Sequence, residues 1–142
     1  MDFRHFGNKY FVRIDRGEEI ISQLRKLCEA EKITLAEVKA LGAVDDFSVG
    51  LFDTNEKKYH SNDFKFPAEI TSLWGTVTTM DGKFYAHLHM SVADKAGKVW
   101  GGHLNRAVVS ATCEMIVENV PDGAVERKYN EEVGLNLFKF LD

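Results

Sequence analysis

Residues 84–92 constrain the fold of this chain more than any other segment, because two classes of side chain alternate along them without a break. Such alternation is typical of a β-strand, in which successive side chains point to opposite faces of the sheet. His87 and His89 are two residues apart, so both imidazoles point in the same direction. The sequence therefore predicts a strand that carries a histidine pair on one face. The opposite, core-facing side is formed by Phe84, Ala86, Leu88, Met90 and Val92.

A turn signal follows this strand. Residues 94–98 begin with Asp94 and have Gly97 near their end, which favours a three-residue hairpin loop closed by a glycine in the left-handed conformation. A loop that pairs Asp94 with Lys98 sets His103 opposite His89 on the returning strand. A shift of one residue in this register would move His103 to the other face. With the predicted register, three imidazoles converge on one patch of the sheet.

Three converging imidazoles without a carboxylate nearby in sequence predict a divalent metal site, and zinc is the first candidate. The predicted ligands are His87, His89 and His103, which leave a fourth position open for water or a small ligand. Gly101 and Gly102 are expected to leave room beside the site for a ligand or a neighbouring subunit. The alternative is that the histidines are half-buried strand residues bonded to their neighbours. The sequence leaves open whether Glu114 or Asn105 joins the site.

Length and charge narrow the class of protein. A chain of 142 residues suits a single domain, 1–142, with a substantial core. The net charge is −4, and Lys and Arg are spread along the chain, which argues against unaided binding to the phosphate backbone of nucleic acid. Cys28 and Cys113 belong to no Cys-x-x-Cys pair and are expected to be reduced, buried thiols. No secretory leader or membrane-spanning stretch is recognised, so a cytoplasmic location is expected.

The remaining patterns predict an α+β fold, with many antiparallel strands joined by short hairpins and one firm helix. The helix is expected at residues 18–31, with Asp15 and Glu18 at the spacing of a capping box. A turn is expected at residues 42–46. Phe64, Phe66 and an apolar tail at residues 135–141 need a core or a partner chain to cover them. Strands are expected at residues 9–14, 35–42, 47–52, 68–79 and 107–120.

Several of these segments together resemble the plants-and-prokaryotes-conserved (PPC) domain. The resemblance extends over roughly residues 10–138. Its most specific elements are the His-Leu-His and Gly-Gly-His-Leu segments, which are similar to those of the prokaryotic branch. The resembling residues are Gly42-Ala43, Gly50, Phe64, Glu69-Ile70-Thr71-Ser72-Leu73-Trp74-Gly75, His87-Leu88-His89, residues 94–97, Gly101-Gly102-His103-Leu104 and residues 131–137.

The resemblance implies an antiparallel sheet flanked by helices and assembled as a homotrimer. It also implies a DNA-associated role, because plant relatives carry an AT-hook, an Arg-Gly-Arg-Pro segment that enters the minor groove. The present sequence contains no such segment. The three histidines resemble those of the prokaryotic branch, where a bound metal is plausible. No enzymatic activity follows from the family.

Two functions of different class fit these observations. The first is a metal-binding homotrimeric module, regulatory and DNA-associated by resemblance to the family, with zinc at the three histidines. The alternative is a zinc-dependent enzyme acting on a small ligand, because zinc with an open position lowers the pKa of bound water to about 7. Direct binding of DNA by the domain alone is a third possibility, and a salt-dependent shift of duplex DNA would reveal it.

Overall fold

The protein is mostly β-sheet, and residues 1–141, the part that the computed structural model describes, contain one α-helix. Strands hold 67% of the residues and helix 9%. The predicted α+β arrangement, with helices flanking the sheet, is therefore wrong. Only one segment has a helical apolar stripe, and the C-terminal tail forms strands. The elements are β1 (Asp2–Phe6), β2 (Lys9–Asp15), α1 (Ile20–Glu31), β3 (Ala36–Asp53), β4 (Lys58–Phe64), β5 (Ala68–Met80), β6 (Lys83–Ala93), β7 (Val99–Asn119), β8 (Val125–Asn130) and β9 (Leu135–Phe140).

Four of the strands form a closed ring. β3 pairs with β5 along one edge and with β7 along the other, and β6 pairs with both β5 and β7. β1 and β2 extend the sheet beyond β7, β4 pairs with β3, and β8 joins β5 through a parallel bridge at Thr79–Glu126. The core holds fully buried side chains from each strand of the ring, such as Val38, Val77, Leu88 and Val109.

β3 is one long strand where the sequence predicts two strands separated by a turn. Residues 36–53 are continuous, and the predicted turn at residues 42–46 is wrong. Irregular pairing around Gly42 bends the strand instead of reversing it. Gly42 has a φ of 147°, and a side-chain carbon there would collide with the backbone carbonyl oxygen of Thr112. Glycine is thus required for close approach of β3 and β7, which the sequence pattern cannot distinguish from a turn.

The helix begins at Ile20, two residues later than predicted, and its N-cap is Glu19. The Glu19 carboxylate accepts hydrogen bonds from the backbone N–H groups of Ile21 and Ser22, at 3.1 and 2.7 Å. The Glu18 carboxylate does accept from the backbone N–H of Asp15, as in a capping box, but outside the helix. The helix buries Ile20, Gln23, Leu24, Leu27 and Cys28, which lie on one side of it.

Phe64 and Phe66 are partly buried and pack against the core. Their rings form a cluster with Phe47 and Trp100, and the centroids of Phe47 and Phe64 are 5.1 Å apart. The chain's own core therefore covers part of both rings, which weakens one reason for predicting an oligomer. The tail docks on its own chain as the β8–β9 hairpin. Both Cys28 and Cys113 are free and buried, as expected. No helix in residues 1–141 combines the length and the apolar character needed to cross a membrane.

Candidate metal centre

The β6–β7 hairpin brings the three predicted histidines together. Asp94 donates its backbone N–H to the carbonyl of Lys98 at 3.0 Å, and Gly97 has a φ of 77°, in the left-handed region. The Asp94 carboxylate closes the loop by accepting from the N–H groups of Ala96 and Lys98. The turn and its register are as predicted, and His103 lies directly opposite His89.

The three imidazoles form a compact cluster on the outer face of the ring of strands. The ring centroids are 5.2 Å apart for His87 and His89, 5.1 Å for His87 and His103, and 5.8 Å for His89 and His103. One nitrogen from each ring can be chosen so that all three lie within 4.8 Å of one another. Tetrahedral zinc, with Zn–N bonds of about 2.0–2.1 Å, places its nitrogens roughly 3.3 Å apart. Side-chain rotations that shorten these nitrogen–nitrogen distances by about 1.5 Å would reach this geometry.

The surroundings favour the neutral, ligating form of two of the imidazoles. Burial, together with the nearby His103, Arg127 and His89, lowers the pKa of His87 to about 4. Burial lowers the pKa of His103 as well, and the charge of a protonated His89 contributes in the same direction. Both rings are therefore neutral at pH 7. Three neutral nitrogen donors are a ligand set that zinc accepts, so the residues present fit this metal.

Glycines hold the strands close together around the cluster, a role different from the predicted one. A side-chain carbon on Gly102 would lie 2.6 Å from the carbonyl oxygen of Gly50, and one on Gly101 would lie 2.7 Å from that of Met90. On Gly75 it would collide with the carbonyl oxygen of His87. Gly102 also lines the space beside the histidines. Gly101 and Gly102 let β7 approach β6 and β3, and Gly75 lets β5 approach β6.

A cavity of about 720 Å³ opens beside the histidines. Its volume is in the range of small-molecule sites, about 300–1,000 Å³. Most of its wall is apolar or aromatic, and residues 1–141 contribute no carboxylate to it. The side chains that line it, besides the three histidines, are those of Leu51, Phe52, Tyr59, Tyr85, Arg127, Leu135, Asn136, Leu137 and Phe138.

Arg127 is a residue of this cavity for which the sequence analysis assigned no role. It lies on β8, thirty-eight positions after His89, and no spacing rule connects the two. Burial lowers its pKa, and its guanidinium carbon lies over the rings of Tyr85 and Phe138, 4.6 Å from each ring centroid. It thus adds a desolvated positive charge to the wall of the cavity.

Among the His, Cys, Asp and Glu side chains of residues 1–141, the group that could hold a metal is formed by the three histidines and does not include Glu114. Glu114 pairs with Arg13 and Leu41 at the far end of β7. Asn105 instead accepts a hydrogen bond of 2.6 Å from the hydroxyl of Tyr59, whose ring lies edge-on to His103. Asn105 therefore positions one wall of the cavity.

Comparison with known proteins identifies relatives of this chain. The profile of the Plants and Prokaryotes Conserved (PCC) domain matches residues 1–121. A metal-containing protein from Archaeoglobus fulgidus has a crystal structure with 33% identity and a TM-score of 0.88, over 98% of this chain and 99% of that one. A plant- and prokaryote-conserved (PPC) protein from Pyrococcus horikoshii has 30% identity and a TM-score of 0.88, over 99% and 96%.

Two further relatives have different names. A candidate DNA-binding protein from Bacteroides thetaiotaomicron has 29% identity and a TM-score of 0.94, over 98% of this chain and 96% of that one. A bifunctional protein GlmU from Synechococcus sp. (strain JA-2-3B'a(2-13)) is 27% identical over 127 residues, which are 88% of this chain. The chain spans only about a fifth, 19%, of the length of that protein.

Proposed function

We propose that this chain, which belongs to the plants and prokaryotes conserved domain family, binds one zinc ion through His87, His89 and His103. The observation that carries the proposal is the cluster itself, in which three imidazole nitrogens lie within 4.8 Å of one another. The relative from Archaeoglobus fulgidus is called a metal-containing protein, which supports the same conclusion. Half-buried strand histidines that served packing alone would not need to converge in this way.

Three histidine ligands leave one position of a tetrahedral ion open, where zinc can bind an anionic or neutral donor or lower the pKa of water to about 7. The chain's own residues shape the space around that position. His87 and His103 are held neutral by burial, and Tyr59 and Tyr85 form polar-tipped aromatic walls. This environment suits the capture of a small ligand.

Ligand binding is favoured over catalysis by the composition of the cavity wall. A zinc hydrolase commonly needs a general base beside the metal. Within residues 1–141, no Asp, Glu or Lys lines the cavity. We therefore take a ligand-responsive, regulatory module as the primary function and a zinc-dependent enzyme as the alternative. Turnover of a small ester or amide by zinc-loaded protein, lost in His103→Ala, would favour the enzyme.

Metal analysis of the wild-type protein tests the zinc site. The protein is purified without chelators, supplied with zinc and desalted, and we expect about one zinc ion per chain by mass spectrometry of the metals. His60→Ala is the matched control, because His60 is exposed and pairs with Glu56 outside the cluster. Protein that retains no zinc after desalting would refute the proposal.

A DNA-associated role is supported by the name of the Bacteroides thetaiotaomicron relative, a candidate DNA-binding protein. The net charge of −4 opposes it, because neutralising phosphates requires an excess of Lys and Arg on one surface. We expect little binding of duplex DNA by the domain alone at physiological salt. A salt-dependent shift of a duplex in that buffer would revise this expectation.

Assembly into a homotrimer stays a prediction of the family resemblance. Exposed apolar side chains on the outer face support self-association, because Phe11 on β2, Ile116 on β7 and Trp74 on β5 are 48%, 37% and 54% exposed. In the register of the sheet, Phe11 lies opposite Ile116, and Lys39 lies between Ile116 and Trp74. Sedimentation at micromolar concentration should give three times the mass of the chain, and a monomer there would contradict the prediction.

A further inference from the structure

Arg127 is a buried cation whose protein partners are all neutral. Only 7% of the residue is exposed. Its Nε donates to the hydroxyl of Thr78 at 2.9 Å, Nη1 to the carbonyl of Asn136 at 3.0 Å, and Nη2 to the hydroxyl of Thr76 at 3.4 Å. The ion pairs formed within residues 1–141 do not include Arg127.

This buried guanidinium has N–H donors left to bind an anion. It carries five N–H donors, so three bonds leave donors over. Its carbon lies 4.6 Å from the ring centroids of both Tyr85 and Phe138, so aromatic rings exclude water from part of the group. Charged side chains are rarely this buried unless they are paired, and a planar guanidinium matches the two oxygens of a carboxylate.

The strand register places this guanidinium beside the histidine cluster. Thr76 lies directly opposite His87, and Thr78 lies opposite Tyr85. Opposed residues of antiparallel strands point to the same face with their Cβ atoms about 5 Å apart. Arg127, bonded to both threonines, therefore lies on the same face as the imidazoles, and all of them line one cavity.

The rest of the cavity wall is largely apolar. Leu51, Phe52, Leu135 and Leu137 form much of the remaining wall. Burial of a hydrocarbon body there contributes about 25 cal/mol for each Å² removed from water. A ligand complementary to the whole cavity has an acidic group for Arg127, a donor oxygen for the metal and an apolar body that packs against these side chains.

We infer that this cavity binds a small organic carboxylate, with its carboxylate on Arg127, its second oxygen donor at the histidine-bound metal, and its apolar body against the leucines and aromatic rings. The position of the second donor rests on the proposed zinc site, whereas the contact with Arg127 does not. Arg127 is thus the residue that selects acids over neutral molecules of the same shape.

Titration with terephthalate, a flat dicarboxylate, tests the inference. Nuclear magnetic resonance of ¹⁵N-labelled protein follows the Arg127 Nε–H signal, first in metal-free and then in zinc-loaded samples whose zinc content is measured. We expect saturable shifts of this signal in both samples and at least about tenfold tighter binding with zinc, the effect of adding one charge-assisted contact.

Three variants separate the roles of charge and shape. Arg127→Gln should weaken the binding of terephthalate at least about tenfold without changing the zinc content. Arg127→Lys should weaken this binding less, because lysine keeps the charge but lacks the planar guanidinium. Lys128→Gln removes the same charge from an exposed neighbouring residue and should bind as the wild type does. Arg127→Lys also serves as the folded comparison if the glutamine variant loses its native signals.

Two results would overturn the inference. One is equal binding of terephthalate by the wild type and by both Arg127 variants. The other is equal binding of terephthalate and its neutral diamide by the wild type. Failure of the zinc proposal gives a different pattern, in which no zinc is retained while binding of terephthalate still depends on Arg127.

Discussion

Two clusters of polar side chains in this protein are built on opposite principles. In the helix-start cluster, formed by Arg13, Asp15, Glu18 and Glu19, the charged groups meet complementary partners. Arg13 pairs with Asp15 at 2.8 Å, and the Glu18 carboxylate accepts from the backbone N–H of Asp15 at the same distance. Glu19 caps the helix and also accepts from the backbone N–H of Ala107 on β7.

The cavity cluster, formed by His87, His89, His103 and Arg127, contains only basic side chains. Within the described chain no carboxylate lines the cavity, and burial lowers the pKa of His87, His103 and Arg127. The helix-start cluster is therefore complete within the chain and stabilises the fold. The cavity cluster leaves the charge of Arg127 without a counter-ion and three imidazole nitrogens available as ligands. An anion would compensate the first and a metal would use the second, which is the expected signature of a binding site.

The largest expected effect is on the cavity cluster. His103→Ala or His87→Ala should weaken the affinity for zinc by more than about 100-fold. Even residues that only hydrogen-bond to metal ligands contribute 10–100-fold to metal affinity. Isothermal titration with zinc measures the loss. The fold should persist, because the buried face of β6 is formed by other residues, including Leu88 and Met90. Zinc should raise the melting temperature of the wild type and leave that of the variants unchanged.

A smaller effect, on the free energy of unfolding, is expected in the helix-start cluster. Glu19→Ala should lower the free energy of unfolding by about 1–3 kcal/mol, because it removes a helix cap and a bond to Ala107. Urea denaturation of the metal-free protein measures this change. Glu29→Ala, at an exposed position of the same helix, should stay within about 0.5 kcal/mol of the wild type. Equal effects of the two substitutions would contradict the structural role assigned to Glu19.

A further expected effect is on pH dependence. His87 has a pKa of about 4 in the folded protein, whereas an unfolded histidine titrates near 6.5. Between these values the unfolded chain binds more protons, so the stability of the metal-free protein is complete above pH ~6.5 and falls as the pH drops towards ~4. His87→Asn should show a shallower decline in urea denaturation over that interval. Parallel curves for both proteins would show that the environment of His87 is not as described.

The histidine cluster could be predicted from the sequence because its information is local. Alternation along β6 orients His87 and His89, and the loop from Asp94 to Lys98 sets the register of His103, all within twenty residues. Two less specific local signals led to wrong details. Gly42 suggested a turn but marks a bend within one strand, and Asp15 suggested a cap that Glu19 provides.

The sequence by itself determined the hairpin, its register and the convergence of three imidazoles. Only the tertiary structure decided that a cavity adjoins them and that Arg127 enters its wall. Arg127 reaches the site because β8 crosses back to pair with β5, about fifty residues earlier in the chain, and bonds to Thr76 and Thr78 there. No local periodicity encodes such a contact, because it depends on which strand edges remain open once the ring of strands has closed.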